Sequence, residues 1–540
     1  PGAESGPAKN GNAAPRPAAA APSLLECETH AMNNHTPHDH AVNVLQVRRL
    51  GIDTYHEPVV FMRSDCPICR SEGFEAHSRV LVSLRGKNII ATLNIVTGDL
   101  LQNDEIGLSE IAWKLLAAAP DDDVTLSHAE PLESLSSVRA KVYGQRLSQP
   151  AMHAIVQDIA DRKYSDIHLS AFITACAGDR LDVTETAALT RAMIAVGEHL
   201  SWDRSPIVDK HSVGGLPGNR TTPLVVPIVV AAGLTMPKTS SRAITSPAGT
   251  ADTMEMLAPV ALDVKAMRRV VERTGGCIVW GGAAQLSPAD DILIRVERPL
   301  DLDSEGQMIA SILSKKVAAG STHVVIDLPV GPTAKVRSTA AAHALGTDMV
   351  KVGQAIGLHV DVMQTDGSQP VGRGVGPALE ARDVLAVLRR EADAPQDLRE
   401  RAVVLAGRIF EMAGHTPPGS GAALARALLD DGRAWHKFQA ICDAQGGMRE
   451  PPQAAHMHVM TAPSAGRVVS IDNRRLGRAA KLAGAPQSPA AGLSLHTPLG
   501  TRVERDQPLF TMHAETPGEL AYALAYLHGQ PPIVEIANGQ

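Results

Sequence analysis

Hydrophobic and polar positions along the chain change their period from one part to the next. After the first 40 residues, short β-branched runs separated by Gly, Asp or Asn occupy residues 59–62, 80–84 and 88–96. Runs of this kind predict strands, whereas the three- and four-residue spacing over residues 108–119 predicts a helix. We therefore predict a small β-rich N-terminal domain over residues 41–125.

Helical spacing dominates the part that follows. Apolar residues recur three and four positions apart over residues 154–172, and Asp182 or Thr184 is a suitable capping residue for a further helix. We predict a small helical lobe over residues 142–205, and we expect residues 288–320 to join it.

Strands and helices alternate over residues 206–440, which predicts an α/β domain. The predicted strands are residues 277–280, 324–328 and 358–363. The predicted helices are residues 309–319, 338–345, 377–390 and 397–413. The apolar run at residues 224–236 is too short to span a membrane, which takes about 20 residues, so it predicts a buried helix.

The two ends of the chain differ from this middle part. Residues 455–540 return to short strands with Gly turns and one helix, which predicts a C-terminal α+β domain. Residues 1–40 are rich in Ala, Pro and Gly and then polar, and this composition predicts a disordered tail.

Composition narrows the classes of function. Of the 540 residues, 44% are hydrophobic and 20% are charged, which is typical of a globular protein with a large core. Lys and Arg number 51 against 58 Asp and Glu, so the net charge of −7 argues against nucleic acid as the main partner. Aromatic residues make up only 3%, which is few for a platform that stacks single-stranded bases.

The cysteines indicate the compartment. The six of them are scattered along the chain, which is typical of a reducing environment and predicts a cytoplasmic protein. Cys66 and Cys69 form one C-x-x-C pair. Because neither a second pair nor a nearby His pair accompanies it, we interpret these residues as loop thiols rather than as half of a zinc site.

The densest chemical signal lies in residues 208–222. Three glycines within five residues allow a tight turn that aims backbone N–H groups at one point. The side-chain donors of the segment are Lys210, Ser212, Thr221 and Thr222. The helix predicted to begin near Thr222 directs its N-terminal dipole to the same place. The segment therefore predicts a binding site for a phosphate oxyanion.

A second segment, residues 238–252, carries six hydroxyl groups, Arg242 and a glycine ahead of a further predicted helix. Hydroxyl groups orient anions and sugars without neutralising their charge. Because this segment follows the first after a single crossover, we predict that the two segments line one site.

A third segment, residues 303–316, pairs a hydroxyl group with a lysine. Ser311 and Lys315 are four positions apart, so on a helix they share one face. Such a pair can hydrogen-bond a planar ring that is rich in carbonyl groups. Taken alone, it is equally typical of the solvent-facing side of an amphipathic helix.

These three segments, in this order, resemble a known family. D-K-H-S-x-G-G, S-S-R-A-I-x-S-x-A-G-T-A-D-x-x-E and A-S-I-L-S-K-K are similar to the motifs of the thymidine and pyrimidine-nucleoside phosphorylases. The resemblance covers residues 45–540 and is closest to a long branch that holds archaeal AMP phosphorylases and bacterial proteins labelled thymidine phosphorylases. It implies a nucleoside phosphorylase/phosphoribosyltransferase-like fold, an α/β domain with a small helical lobe, flanked by a β-rich N-terminal and an α+β C-terminal domain.

The resemblance also implies roles for individual residues. Its phosphate ligands are Lys210, Ser212, Thr222, Ser240 and Thr250. Its contacts to the base are His211, Ser311 and Lys315, of which His211 and Lys315 act in catalysis. The base-clamping arginine of the thymidine enzymes does not align without a gap, and Arg295 or Arg298 fills its place.

The AMP-phosphorylase branch implies a set of nucleotide contacts. They are Gly215, Ser241, Arg242, Ala243, Ile244, Thr245, Ser246, Thr250, Ser311 and Lys335. In that branch the presumed proton donor to the leaving base is an Asp, which corresponds to Asp303. The residues themselves leave open whether Asp303 or His211 supplies this proton.

The expected activity is phosphorolysis of thymidine to thymine and 2-deoxyribose 1-phosphate. An alternative is a nucleoside 5′-monophosphate phosphorylase that yields ribose 1,5-bisphosphate, with Lys335 and Arg337 as ligands of the 5′-phosphate. Another is a catalytically silent nucleotide-binding or assembly protein. We expect no metal and no cofactor besides inorganic phosphate as co-substrate, and a homodimer or larger homo-oligomer.

Overall fold

The computed structural model describes residues 44–243, 246–284, 286–302 and 304–537. The tail predicted over residues 1–40 lies outside these ranges. The described chain forms a β-barrel, a helical lobe, an α/β domain with a parallel sheet, and a C-terminal domain of small sheets and two helices. This is the predicted fold class.

The N-terminal domain is a closed barrel of six strands in the order β1-β5-β2-β4-β3-β6. Its elements are β1 (Val44–Arg49), β2 (Val59–Arg63), α1 (Pro67–Ser71), β3 (Arg79–Leu84), β4 (Lys87–Val96), β5 (Glu105–Leu108), α2 (Glu110–Leu116) and β6 (Asp123–His128). Alternate residues of β3 point into the barrel, as the period of two requires. Cys66 and Cys69 are not loop thiols at the surface: both are buried in the barrel core, because α1 begins directly after Cys66.

The helical lobe begins with four helices. They are α3 (Ser134–Val142), α4 (Gln149–Ala160), α5 (Asp166–Cys176) and α6 (Val183–Ala195). Asp182 caps α6 by accepting a hydrogen bond from the backbone N–H of Glu185 at 2.8 Å.

The α/β domain supplies the sheet on which the site is built. Its elements are β7 (Val208–Ser212), α7 (Thr222–Ala231), β8 (Met236–Ser240), α8 (Thr250–Glu255), α9 (Val264–Thr274), β9 (Gly276–Trp280), α10 (Pro288–Leu300), α11 (Glu305–Ala318), β10 (His323–Val330), α12 (Thr339–Ala355), β11 (His359–Asp366), β12 (Gly374–Val375), α13 (Pro377–Arg389), α14 (Gln396–Met412), α15 (Gly421–Asp430) and α16 (Arg433–Gln445). Strands β11, β10 and β7 pair in parallel, as do β8 and β9, and the bridge between Ile207 and Thr235 joins the two groups.

Strand order across this bridge is β11-β10-β7-β8-β9. Strands β8 and β9 therefore follow on one side of β7 and strands β10 and β11 on the other, so the order in which strands are added reverses beside β7. In open parallel sheets, ligands bind beyond the carboxyl ends of the strands at such a reversal. The carboxyl ends of β7 and β8 therefore mark where to look for the site.

Residues 224–236 do not form one helix. Helix α7 ends at Ala231, the chain turns at Gly233 with φ of +98°, and Met236 begins β8. Helix and strand are both buried on every side, so an unbroken apolar run gives no sign of the change from one to the other.

Helices α10 and α11 return to the helical lobe. Ala289, Leu293 and Val296 of α10 and Ala310 of α11 are buried in the same hydrophobic cluster as residues of α4, α5 and α6. Since α11 leads directly into β10, the helical lobe and the sheet share a continuous piece of chain next to the site.

The C-terminal domain consists of two small sheets and two helices. Its elements are β13 (His456–Thr461), β14 (Gly466–Ile471), α17 (Asn473–Leu482), β15 (Gly492–Leu495), β16 (Arg502–Val503), β17 (Pro508–Ala514), α18 (Pro517–His528) and β18 (Val534–Ala537). Strand β12 pairs with β15 and so ties this domain to the preceding one. Within the described ranges, none of the helices has the length and apolar character that crossing a bilayer requires.

Candidate active site

Lys210 lies at the centre of the site on strand β7, not in a loop. Its side chain is buried, and its ammonium group donates to the hydroxyl oxygens of Ser212 and Thr221, each at 2.5 Å. The chain departs from β7 after Ser212, and Thr221 immediately precedes α7. The lysine thus joins both ends of the first glycine segment.

Asp327 on β10 holds the hydroxyl groups around Lys210. It accepts hydrogen bonds from Ser212 at 2.6 Å and from Thr365 at 2.5 Å. Burial lowers the pKa of Lys210 to about 8; the Asp327 carboxylate opposes this fall, while Arg220 adds to it. At neutral pH the lysine therefore stays charged, with a smaller margin than an exposed lysine has.

Gly218 allows the first glycine segment to pack tightly. Its φ is +75°, and a Cβ atom at this position would lie 2.1 Å from the carbonyl oxygen of Val371. Asn219 donates its backbone N–H to the same oxygen at 3.1 Å. Helix α7 then begins at Thr222 with its N-terminus at the carboxyl end of β7, which favours an anion there.

Asp252 organises the second segment, which follows β8. Its carboxylate accepts the backbone N–H groups of Ala243 at 2.7 Å and Gly249 at 2.8 Å. The guanidinium of Arg242 forms ion pairs with Asp252 and Glu255. Its charge is therefore matched by two carboxylates.

Ser240 and Thr250 stand at the two ends of this second segment. Ser240 is the last residue of β8, and its buried hydroxyl oxygen has no hydrogen-bond partner among the described residues. Thr250 accepts a hydrogen bond from Arg220 at 3.2 Å. Ser246 donates its hydroxyl hydrogen to the carbonyl oxygen of Ala248 at 2.8 Å, which closes a turn over residues 246–248.

A buried carboxylate, Asp209, anchors α11 against the sheet. Its oxygens lie 3.2 Å from the ammonium of Lys238 on β8 and 2.9 Å from that of Lys316 on α11. All three side chains are buried. Burial and the Lys316 charge hold the pKa of Lys238 well below its ordinary value, although Asp209 opposes this. The cluster thereby limits the excess of positive charge under the site.

Lys315, next to Lys316 on α11, points to a different partner. Its ammonium forms an ion pair with the buried carboxylate of Asp290 on α10 and lies 3.4 Å from the hydroxyl oxygen of Ser311. Burial alone would lower the pKa of Lys315, but Asp290 and the neighbouring acidic residues of α10 raise it above its ordinary value. The predicted sharing of one helix face by Ser311 and Lys315 is present.

His211 follows Lys210 on β7 and is paired in register with Ile326 of β10. Burial lowers the pKa of its imidazole well below the ordinary value, and the charges of Lys316, Lys238, Lys210 and Lys315 lower it further. The imidazole is therefore neutral at pH 7, with one nitrogen that donates and one that accepts.

Arg295 and Arg298 on α10 have different partners. Arg295 forms an ion pair with Asp166 of the helical lobe at 2.6 Å. Arg298 donates to the carbonyl oxygen of Ala243 in the second segment at 2.8 Å. Of the two, only Arg298 reaches across to the sheet side of the site, so the geometry favours Arg298 for a contact to the substrate.

Lys335 lies against the first glycine segment. A Cβ atom at Gly215, whose φ is +96°, would come within 3.1 Å of the Cβ atom of Lys335. The lysine side chain is exposed at this mouth of the site. Three of the predicted contacts, Ile244, Thr245 and Asp303, lie outside the described residues.

Several residues of this arrangement are not among those that the sequence singles out. They are Asp209, Arg220, Asp290, Asp327 and Glu380. Two of them carry a local signal: Asp209 immediately precedes Lys210, and Asp290 belongs to the acidic first turn of a helix that begins with Pro288. Asp327 and Glu380 carry none, because their partners Ser212 and Arg220 lie 115 and 160 positions away.

Domains of known protein families match successive parts of this chain. Residues 136–197 match the model of the "Glycosyl transferase family, helical bundle domain", residues 204–435 that of the "Glycosyl transferase family, a/b domain", and residues 467–533 that of the "Pyrimidine nucleoside phosphorylase C-terminal domain". "Putative thymidine phosphorylase 2" of Acidovorax sp. (strain JS42) is 66% identical over 92% of this chain and 97% of its own. "Putative thymidine phosphorylase" of Polaromonas sp. (strain JS666 / ATCC BAA-500) is 64% identical over 94% of this chain and 98% of its own.

A solved structure also matches. The anthranilate phosphoribosyltransferase of Thermus thermophilus shares 20% identity, with a TM-score of 0.49, over 57% of this chain and 99% of its own.

Proposed function

Because this chain belongs to the thymidine and pyrimidine-nucleoside phosphorylase family, we propose that it catalyses the phosphorolysis of a pyrimidine (deoxy)nucleoside. In this reaction, thymidine and inorganic phosphate give thymine and 2-deoxyribose 1-phosphate. The C1′–N bond breaks as a phosphate oxygen bonds to C1′, and the bond's electron pair leaves with the base.

The carboxyl ends of β7 and β8 form the phosphate side of the proposed site. Lys210 supplies a positive charge, and Thr222, Ser240 and Thr250 supply hydroxyl groups. Ser212, the remaining predicted ligand, accepts from Lys210 and donates to Asp327, so it binds phosphate only by giving up the bond to Asp327. The hydroxyl group of Ser240 has no hydrogen-bond partner among the described residues, so it can donate to a phosphate oxygen without breaking an existing bond. Holding phosphate in line with C1′ reduces the entropic cost of the reaction.

Helix α11 forms the base side. The ammonium of Lys315 and the hydroxyl of Ser311 donate to carbonyl oxygens of the ring, and these bonds strengthen as negative charge grows on the leaving base. Arg298 is the candidate for the base-clamping arginine because it reaches the second segment.

The proton that the leaving base takes up does not come from a charged His211. A neutral imidazole donates a hydrogen bond to the base, but losing that proton would leave an imidazolate, which costs far more. His211 is therefore a hydrogen-bond donor in this proposal. Asp303, the alternative donor predicted from the sequence, lies outside the described residues.

The observation that carries the proposal is the ion pair between Asp209 on β7 and Lys316 on α11, whose charged atoms lie 2.9 Å apart. Their chain neighbours, Lys210 of the phosphate side and Lys315 of the base side, therefore lie on adjoining elements. The test is to incubate the protein with phosphate and thymidine, uridine, cytidine, AMP or CMP and to follow release of the base. We expect phosphate-dependent release of thymine; release from none of the five would favour a silent nucleotide-binding protein.

A nucleoside 5′-monophosphate phosphorylase is the second candidate. It is favoured by the close approach of the backbone and Cβ atom of Lys335 to Gly215, which places this exposed lysine beside the first glycine segment. Cleavage of AMP without cleavage of thymidine would establish this alternative. In that case Lys335→Gln should raise the KM for AMP at least tenfold, since a charged hydrogen bond contributes about 1.5–3 kcal/mol.

Inorganic phosphate is the co-substrate, and the proposed reaction uses neither a metal nor a redox cofactor. We also propose a homodimer or larger homo-oligomer and a cytoplasmic location. The cysteines of the described chain support the location: Cys66, Cys69, Cys176, Cys277 and Cys442 are all free thiols.

A further inference from the structure

Arg220 joins the two phosphate-side segments. Its guanidinium donates to the carbonyl oxygen of Ala248 at 2.8 Å, to the hydroxyl oxygen of Thr250 at 3.2 Å and to the carboxylate of Glu380. Only 14% of the arginine side chain and 1% of the glutamate side chain are exposed. The first segment is thus fixed to the second by one side chain.

Glu380 holds the arginine in a single orientation. It lies in the first turn of α13 and also accepts hydrogen bonds from Thr253 at 2.8 Å and from the backbone of Gly376 at 3.3 Å. A buried carboxylate with this many donors has little freedom to move. Three of the five N–H groups of Arg220 have protein partners in these contacts, and two remain for another acceptor.

The direction of the Thr250 hydrogen bond has a consequence for phosphate. Because Arg220 donates to the Thr250 oxygen, the hydrogen of that hydroxyl group points elsewhere and is available to an oxyanion. A threonine that donated to a protein carbonyl would offer phosphate only lone pairs, which repel it.

Arg220 is also close to the phosphate lysine. Its positive charge is one of the causes that lower the pKa of Lys210. Glu380 balances the charge of the guanidinium, so the arginine acts on phosphate through Thr250 rather than as a further unpaired cation.

We propose that Arg220 is a positioning residue of the phosphate site, which fixes Thr250 as a hydrogen-bond donor to phosphate. This rests on the proposed function, since it takes phosphate as the ligand of the two segments. Glu380 maintains the orientation of the guanidinium.

The test compares Arg220→Met, Thr250→Val, the double variant and a control, Arg268→Met. Arg268 lies over Trp202 and also donates to a backbone carbonyl group, so its replacement removes a similar side chain away from the two segments. Two quantities are measured for each: the inorganic phosphate concentration that half-saturates the rise in melting temperature, and the KM values for phosphate and nucleoside.

We expect Arg220→Met to raise the half-saturating phosphate concentration and the phosphate KM about 10- to 100-fold, with the nucleoside KM changed less than about threefold. If Arg220 acts through Thr250, the double variant should bind phosphate no more than about threefold more weakly than Arg220→Met alone. The control should behave like the wild type.

Unchanged phosphate affinity in Arg220→Met, or effects of the two single changes that multiply in the double variant, would overturn the proposal. If Arg220→Met does not fold, Arg220→Lys keeps the charge but loses the fork, and we expect about tenfold weaker phosphate binding; unchanged binding overturns the proposal here too. A wild type that phosphate stabilises but that releases no base contradicts only the proposed function. A wild type that phosphate does not stabilise contradicts both.

Discussion

The ammonium of Lys315 on α11 forms an ion pair with the buried carboxylate of Asp290 on α10. Two successive helices of the helical lobe therefore fix the position of the lysine proposed to hold the base. The pair is also one reason why Lys315 keeps its positive charge in spite of its burial. The base side of the site depends on how α10 packs, not on α11 alone.

Replacing Asp290 should therefore affect the base side selectively. Asp290→Asn leaves Lys315 without its countercharge, so we expect kcat/KM for the nucleoside to fall about 10- to 100-fold, which corresponds to about 1.5–3 kcal/mol. The phosphate KM should change less than about threefold. Steady-state kinetics with each substrate varied in turn measure both, with Asp348→Asn, at an exposed ion pair with Lys351, as the control; equal losses for the two substrates would contradict this assignment.

Lys210 should impose an alkaline limit on activity. The pKa of this lysine is about 8, because burial lowers it, so the free enzyme loses the charge that attracts phosphate as the pH rises through 8. We expect kcat/KM for phosphate to decline above about pH 8. The corresponding alkaline decline of kcat should begin at higher pH, since bound phosphate stabilises the ammonium form of Lys210.

The control for this alkaline decline of kcat/KM is the variant Lys210→Arg. A guanidinium stays charged throughout the accessible range, so the decline near pH 8 should disappear even if the overall rate is lower. An unchanged decline in this variant would assign the titration to another group.

Asp209 should be important for stability. It is buried and paired with Lys238 and Lys316, so Asp209→Asn leaves two ammonium groups without their carboxylate. We expect the free energy of unfolding to fall by about 3–5 kcal/mol. Asp348→Asn, which breaks an exposed pair with Lys351, should cost less than about 1 kcal/mol.

Urea unfolding followed by circular dichroism measures both changes. The double variant Asp209→Asn, Lys316→Met should recover part of the loss, because it removes one of the two uncompensated charges. A double variant that is less stable than Asp209→Asn would show that the hydrophobic contacts of Lys316, and not its charge, are what matters.

The fold class is predictable from the sequence because the helices and strands of the α/β domain follow simple rules. The predicted helices at residues 377–390 and 397–413 correspond to α13 (Pro377–Arg389) and α14 (Gln396–Met412). Both show amphipathic spacing, and α13 begins with a proline, which favours the first helical turn. Closure of the N-terminal barrel is not predictable in this way, since it depends on which strands pair.

The candidate site is predictable only for its cations and hydroxyl groups. Glycine-rich segments signal an anion site locally, and so Lys210 and Thr250 stand out. The carboxylates that hold them do not, because Asp327 and Glu380 meet their partners only after the chain has folded. The ion pairs of Arg242 with Asp252 and Glu255 also become visible only in the structure, although both partners lie within thirteen positions.

Gly249 should tolerate no side chain. A Cβ atom there would lie 2.5 Å from the carbonyl carbon of Arg242 and 2.6 Å from the nitrogen of Ala243, both of which are backbone atoms. Gly249→Ala therefore displaces the second segment, and we expect a loss of about 1–3 kcal/mol in stability together with a rise in the phosphate KM. Gly98→Ala, where nothing lies within 4 Å of the new atom, is the control. Wild-type phosphate affinity in Gly249→Ala would show that the second segment does not bind phosphate.

His513 should make the C-terminal domain sensitive to acid. Burial, together with the charges of Arg382 and His496, lowers the pKa of this histidine to about 4. In the unfolded chain its pKa returns to about 6.5, so between pH 6.5 and 4 the unfolded state binds a proton that the folded state does not. Stability therefore decreases as the pH falls through this window, by about 1 kcal/mol from this group, since its partial exposure to solvent weakens the effect.

The measurement is urea unfolding at pH 7.5 and at pH 4.5 for the wild type, His513→Gln and the exposed control His528→Gln. Because glutamine does not titrate, His513→Gln should lose about 1 kcal/mol less than the wild type between the two pH values. At pH 7.5 the variant should be no more stable than the wild type, since both side chains are then neutral and the histidine also lies 3.1 Å from the hydroxyl of Ser494. Equal pH dependence of all three proteins would assign the acid sensitivity of folding to other groups.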